Sequence, residues 1–280
     1  MLNIIENADW CGRIRRAIFG GARRYLRTFK PASNSAGIIR LGTEYGGWAL
    51  DLALARDTIT PDSLIVSAGA GEDISFDIEL QRLFGCHVAI VDPTPRAIAH
   101  FRELTKAVES GGSCAINHSE NAFYNMSGVN LSKLHFMPFA LWSEKTTLRF
   151  WEPRGNNVSY SALNIQGTGN YVEVPTITVA DIMDQFGVDT LPLLKLDIEG
   201  AEATVLNGLC ASGVRPIQVG VEFDFVHRPG PGTTRALKLI VGRLQARGYE
   251  IAHYDGARSC LFRQSLDKRH RQSATAPDSE

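Results

Sequence analysis

The chain has 280 residues, 44% of them hydrophobic and 21% charged, with a formal net charge of −1. That composition supports an ordinary globular core and gives no global bias toward nucleic acid or anionic membrane. Five scattered cysteines (Cys11, Cys86, Cys114, Cys210, Cys260) form no CxxC pair, which argues against a zinc site or a disulfide framework. No apolar run approaches the roughly 18 residues of a spanning helix, and the first residues lack a secretory pattern. The expected compartment is the cytoplasm.

Residues 10–30 form a basic amphipathic segment. Trp10, Ile14, Ile18, Tyr25 and Phe29 share one side, and Arg13, Arg16, Arg23, Arg24 and Arg27 crowd the rest, with a break at Gly20-Gly21. The favoured expectation is a helical flap packed on the main domain. The other reading is a surface helix that touches anionic lipid or an acidic partner. Pro31 to Ser35 reads as a linker, so 1–35 is expected to be an extension, 36–264 the working domain, and 265–280 a disordered tail. Within the domain, Ile38 to Trp48 is a short strand and glycine turn. Its Tyr45 and Trp48 either edge a pocket or plug the side of a sheet.

From Ser63 the pattern becomes that of an open α/β sheet. Leu64-Ile65-Val66 is a buried strand, and Ser67-Ala68-Gly69-Ala70-Gly71-Glu72-Asp73 is a small-residue loop. A helix begins at Ile74, with Gly85 at its C-terminal cap. A second strand, Cys86 to Val91, ends at Asp92. A glycine loop followed about 20 residues later by an acid is a nucleotide-site arrangement, the acid being placed to accept ribose hydroxyls. A dinucleotide site wants a third glycine where Ile74 stands, and Glu72 and Asp73 would repel a pyrophosphate. A cationic ligand without phosphates, such as S-adenosylmethionine, fits better than NAD.

Residues 96–107 read as a helix, 109–133 as a long loop, and His135 to Leu141 as a third strand. Thr146 to Trp151 and Tyr171 to Val179 are further strands, and Ala180 to Phe186 is a short helix. Leu193-Leu194-Lys195-Leu196-Asp197-Ile198-Glu199-Gly200-Ala201-Glu202 then ends a buried strand in two carboxylates. A helix follows with Ala201, Val205 and Leu209 on one face. Carboxylates at the carboxyl end of a central strand point to chemistry, because burying them is unfavourable unless they are paired or used. Ile217 to Phe225 is another strand carrying Glu222 and Asp224, followed by His227. A helix around Leu237 to Leu244 and a hairpin around Asp255-Gly256 complete the pattern.

Three stretches in this order resemble the FkbM-type methyltransferases, a branch of the class I S-adenosylmethionine-dependent enzymes. They are Ser67 to Asp77, Val91-Asp92, and Leu194-Lys195-Leu196-Asp197-Ile198-Glu199-Gly200-Ala201-Glu202, the last close to the family's K-[IL]-D-[IV]-E-G-A-E hallmark. The resemblance spans about residues 38–264. It implies an α/β, doubly wound, mostly parallel seven-stranded Rossmann-like sheet with a final antiparallel strand, and O-methylation of a sugar or natural-product hydroxyl. S-adenosyl-L-methionine is the expected cofactor, held by Ser67, Gly69, Gly71, Glu72, Asp73 and Asp92. Ser67 stands where many class I enzymes carry an acid, so Glu72 or Asp73 is assigned the methionine amino group.

Asp197 is expected to contact the acceptor and remove its proton, with Glu199 orienting or sharing that role, and Glu222 and His227 as further candidates. No metal is assigned. Mg²⁺ on Asp197, Glu199, Glu222 and Asp224 is a weaker alternative. The expected partner is a small-molecule or glycan acceptor, not nucleic acid. A non-catalytic nucleotide-binding module and an NAD(P)-linked oxidoreductase are the rival readings.

Overall fold

The computed structural model describes residues 21–29, 37–117, 122–153, 160–162, 164, 167–224, 232–256 and 259–265. Helix α1 (Gly21–Leu26) comes first. It is followed by strands β1 (Ile38–Leu41) and β2 (Trp48–Asp51), helix α2 (Leu52–Thr58) and strand β3 (Leu64–Ala68). Helix α3 (Ser75–Phe84), strand β4 (His87–Val91), helix α4 (Pro95–Glu109) and strand β5 (Leu134–Met137) come next. Then follow the strands β6 (Ala140–Leu141), β7 (Thr147–Trp151) and β8 (Tyr171–Ile177), helix α5 (Val179–Phe186) and strand β9 (Leu193–Leu196). Helix α6 (Glu202–Ser212), strand β10 (Gln218–Glu222), helix α7 (Thr233–Ala246) and strands β11 (Tyr249–Tyr254) and β12 (Ser259–Gln264) complete the order.

Seven strands form the main sheet in the order β11-β12-β10-β9-β3-β4-β5. All pairs from β5 to β10 are parallel, and β12 is antiparallel to both its neighbours. The central strands β3 and β9 are buried along their whole length, which is why both read as mostly apolar runs, interrupted only by Ser67 and Lys195, rather than alternating ones. One apolar cluster under α1, α5, α6 and α7 covers one face, and a second under α3, α4 and the β1–β2 hairpin covers the other. The chain runs outward from β3 to β5 and then crosses back to β9. That reversal opens a crevice between the carboxyl ends of β3 and β9, where open α/β sheets bind ligands.

The two strands expected at Thr146 and Tyr171 do not extend this sheet. β7 and β8 pair antiparallel, and with β6 they form a separate three-stranded sheet. Their exposure alternates along the chain, so each buries only one face. The expected single strand from His135 to Leu141 is also split. Pro138 lies between β5 and β6 and has no N–H to continue a ladder.

The hairpin is locked onto the main sheet by buried polar contacts. Asp51 caps helix α2 through a bond from Leu54 N (3.1 Å), and its other carboxylate oxygen receives Arg263 Nη1. Gln218 Oε1 accepts Asp51 N at 3.0 Å, and Arg263 Nε donates to Glu250 Oε1 at 2.8 Å. Gly220 makes room for the hairpin: a Cβ there would meet the Trp48 ring at 3.2 Å. In the described part of the N-terminal segment, Leu26 is fully buried, Tyr25 and Phe29 pack on the core, and Arg24 and Arg27 are exposed. Residues 1–20, the tail from 266 and His227 lie outside the described residues.

Candidate active site

The glycine loop turns because Gly69 and Gly71 adopt positive φ (82° and 53°). At Gly69 the reason is contact: a Cβ would lie 1.6 Å from the Asp197 carbonyl oxygen, so the ends of β3 and β9 approach as only glycine permits. Gly69 N donates to Val91 O and Asp197 N to Ala68 O, which ties three strand ends together. At Gly71 a Cβ would meet nothing within 4 Å, leaving that side open to a ligand.

Asp92 braces this loop. Its Oδ2 accepts Ala70 N and Gly71 N, both at 2.9 Å, and its Oδ1 accepts Thr94 N (2.8 Å) and Thr94 Oγ1 (2.6 Å). Burial pushes its carboxyl up, and these four donors offset only part of that rise. A carboxylate offers about four lone-pair positions, and internal donors already occupy that many on Asp92. Its structural job is therefore larger than the ribose contact expected from its position.

Asp73 is likewise a bracket. It accepts Thr43 Oγ1 at 2.5 Å and Ser75 N at 2.9 Å, holding the Gly42–Gly47 turn against the start of helix α3. That helix end is supported from the long loop by Tyr124, whose hydroxyl accepts Ile74 N at 3.0 Å and contacts His100 Nε2 at 2.8 Å. Glu72 accepts Asn117 Nδ2 at 2.9 Å and pairs with Arg96 at 3.4 Å.

These elements enclose a cavity of about 280 Å³ at the crevice. Gly69, Gly71, Glu72, Asp73 and Asp92 line it on the loop side, and Asp197, Glu199 and Glu222 on the other. Tyr45 and Trp48 edge it, as one of the two readings of the hairpin had it, together with Glu44, Thr94, Arg96, Tyr160 and Lys195. Seven carboxylates thus face two cationic side chains, and Arg96 is already paired with Glu72. Ser67 is not part of this wall. It is fully buried beside Asp77, on the sheet face it shares with Lys195.

Lys195, only 5% exposed, donates from Nζ to Gly69 O at 2.5 Å and lies 3.9 Å from Asp197 Oδ2 and 5.2 Å from the centre of the Trp48 ring. It therefore couples the loop, the strand-end carboxylate and the hairpin. Glu199 has φ 53°, the one positive value outside glycine among the described residues. Ser161 Oγ holds its carbonyl at 2.8 Å.

Carboxylate oxygens of Asp197, Glu222 and Asp224 all lie within 4.8 Å of one another. Burial, then the charges of Glu199, Asp197, Glu202 and Glu222, push Asp224 up to about 9. Burial raises Glu202 to about 7, although Gly200 N donates to its Oε1 at 2.9 Å. Burial and the surrounding carboxylates also raise the Tyr45 hydroxyl.

Tyr160, Arg96 and Thr94 were not singled out from the sequence. Thr94 and Arg96 closely follow Asp92 and were findable by proximity. Tyr160 arrives from a distant segment carried by the separate sheet, and no local signal marks it.

A seven-stranded sheet of this order, with a crevice at a glycine loop beyond its strand ends, is a doubly wound α/β fold. A family model for the methyltransferase FkbM domain matches residues 66–251, and the chain belongs to that family of methyltransferases. No curated protein matches it. Among solved structures, it is similar to a Pyrococcus horikoshii protein provisionally described as a transferase. The two share 8% identity over 81% of this chain and 70% of the other, with a TM-score of 0.31. No helix among the described residues is long and apolar enough to cross a membrane.

Proposed function

We propose that the chain is an S-adenosylmethionine-dependent O-methyltransferase acting on a hydroxyl of a sugar or natural-product acceptor. The observation that carries this reading is the charge of the cavity wall at the glycine loop. Seven carboxylates suit a ligand bearing a sulfonium and an amino group, and they disfavour the pyrophosphate of NAD. When bound, the cofactor supplies an electrophilic methyl group. Gly69, Gly71 and Glu72 are the proposed cradle, with Asp92 and Asp73 holding its shape.

Asp197 is the proposed base. It lies at the carboxyl end of β9 and lines both this cavity and a second one of about 190 Å³ beneath the hairpin. An acceptor hydroxyl that reaches it can pass its proton to the carboxylate as the oxygen becomes nucleophilic. Glu222 is oriented by a bond from Ser259 Oγ (3.1 Å) and faces the same two cavities. Asp224, held protonated at neutral pH, offers a hydrogen-bond donor rather than a further charge. Positioning of the acceptor supplies most of the rate. Mg²⁺ remains the second reading, because the Asp197–Glu222–Asp224 cluster has the oxygen set that a hard cation takes.

Calorimetric titration with S-adenosylmethionine, with NADH as comparator, tests the cofactor. Saturable binding of the first alone is expected, and binding of NADH or of neither would sink the reading. With an accepted substrate, Asp197→Asn should keep cofactor affinity and lose turnover by roughly 10²–10⁴-fold, the usual contribution of a general base. Unchanged turnover would remove Asp197 from the role. Turnover in EDTA should be unchanged, and its loss would assign the carboxylate cluster to a metal.

A further inference from the structure

Charge is unevenly distributed along this chain, and the fold gathers it. Residues 10–43 hold eight Lys and Arg and no Asp or Glu, and residues 225–249 hold five and again none. All 30 acidic residues lie in the remainder, with the other 16 basic ones. A formal charge of −1 therefore conceals a molecule divided into basic and acidic parts. The described portions of the two acid-free segments are neighbours in space. Helix α1 packs on helix α7, with Lys238 Nζ 5.4 Å from the centre of the Tyr25 ring.

Helix α7 buries Leu237, Ile240, Val241 and Leu244. Its outward stripe is Arg235, Lys238, Leu239 and Arg243, at the spacing i, i+3, i+4 and i+8, and all four are exposed. Arg24 and Arg27 of the α1 segment are exposed as well. A charged helix face usually does no more than hydrate, but such faces ordinarily interleave both signs. Here neither helix contains an acidic residue, and a leucine 52% exposed sits among the cations.

We propose that this face docks on an anionic lipid bilayer. Arg24, Arg27, Arg235, Lys238 and Arg243 meet headgroup phosphates, and Leu239 enters the interface between them. Basic residues flanking an aliphatic side chain match an in-plane membrane contact. Single-stranded nucleic acid would instead want exposed aromatic rings for stacking. The exposed aromatics among the described residues, Tyr45, Phe123 and Tyr171, lie on other elements.

The test is co-sedimentation of the full chain with vesicles of equimolar phosphatidylcholine and phosphatidylserine, and with phosphatidylcholine alone. Binding is expected only to the anionic vesicles, falling as salt rises. The triple variant Arg235→Gln, Lys238→Gln, Arg243→Gln should bind about 100-fold more weakly, from the usual contribution of each basic residue near a charged membrane. Leu239→Ser should weaken binding without altering its salt dependence. Arg24→Gln with Arg27→Gln supplies a second variant set, and matching melting temperatures show that each variant folds. Equal binding to neutral vesicles, undiminished binding by both variant sets, or tighter binding to a random single-stranded oligonucleotide than to vesicles would overturn the proposal.

Discussion

Two residues carry the geometry of the crevice through their backbones. Gly69 stands where a methyl group would collide with the Asp197 carbonyl, and its φ of 82° is unfavourable for any L side chain. Gly69→Ala must therefore spread β3 from β9. We expect it to destabilise the protein by more than ~1 kcal/mol, the ordinary limit of a compatible Gly→Ala change, and to remove cofactor binding. Urea denaturation and calorimetry would show both effects. Glu199 poses the opposite case, a side chain kept at φ 53° although glycine would fit better. Such strain persists when the side chain it presents is used, and Glu199 faces the cavity. Glu199→Gly should be more stable than Glu199→Ala by ~1 kcal/mol, the cost of a left-handed backbone for an L residue, and both should lose turnover. Equal stability of the two would show that the turn holds no strain.

Among the elements, the hairpin decides whether the two cavities have walls. Its anchor, Asp51 to Arg263, is buried on both sides. Arg263→Met leaves Asp51 without its cationic partner, and we expect a loss of ~3–5 kcal/mol, typical of breaking a buried pair on one side. Adding Asp51→Asn, which removes the charge and keeps an oxygen to cap Leu54 N, should recover part of that loss. Cofactor affinity should fall in the single variant, because Tyr45 and Trp48 ride on the hairpin, and unchanged affinity would mean that the hairpin is no wall. This anchor also marks where sequence reading stops. The strands and helices of the main sheet were legible because burial imposes a period or an apolar run on each, and the carboxylates of Asp92, Asp197 and Glu222 were legible because they end strands. Asp51 and Arg263 stand 212 positions apart and carry no local signal. Lys195 was legible as part of the hallmark, but its bond to Gly69 O joins residues 126 apart and had no local signal; for β7 and β8, strand character was readable and choice of sheet was not. The burial of Ser67 was hidden for a related reason: it lies within β3 beside Lys195 and Asp77, and only the strand's partners show that the cavity begins beyond it.

At the scale of the whole molecule, the concentration of carboxylates around the crevice makes stability depend on pH. Glu202 is fully buried and its carboxyl is raised to about 7, and Asp224 is raised to about 9, both chiefly by burial. The folded protein therefore keeps protons that the unfolded chain, with ordinary carboxylates, releases. For groups raised in this way, the stabilisation is fully present below the unfolded pKa and is lost as pH climbs through the folded value. The melting temperature should accordingly fall as pH rises from about 5 to 9. Glu202 contributes to the lower part of that window, and Asp224 also to the part above about 7. Glu202→Gln keeps an oxygen to accept Gly200 N and should flatten the lower part. Asp224→Asn should flatten the rest and leave the variant more stable than wild type at the alkaline end. Scanning calorimetry across the range separates the two. A wild-type melting temperature that does not change with pH, or variants with the same slope as wild type, would show that the cluster is already relaxed by solvent. The same cluster is where a cationic ligand is proposed to bind. Protonation of Asp224 lessens the repulsion it feels from Glu199, Asp197 and Glu222, three of the seven carboxylates lining that crevice.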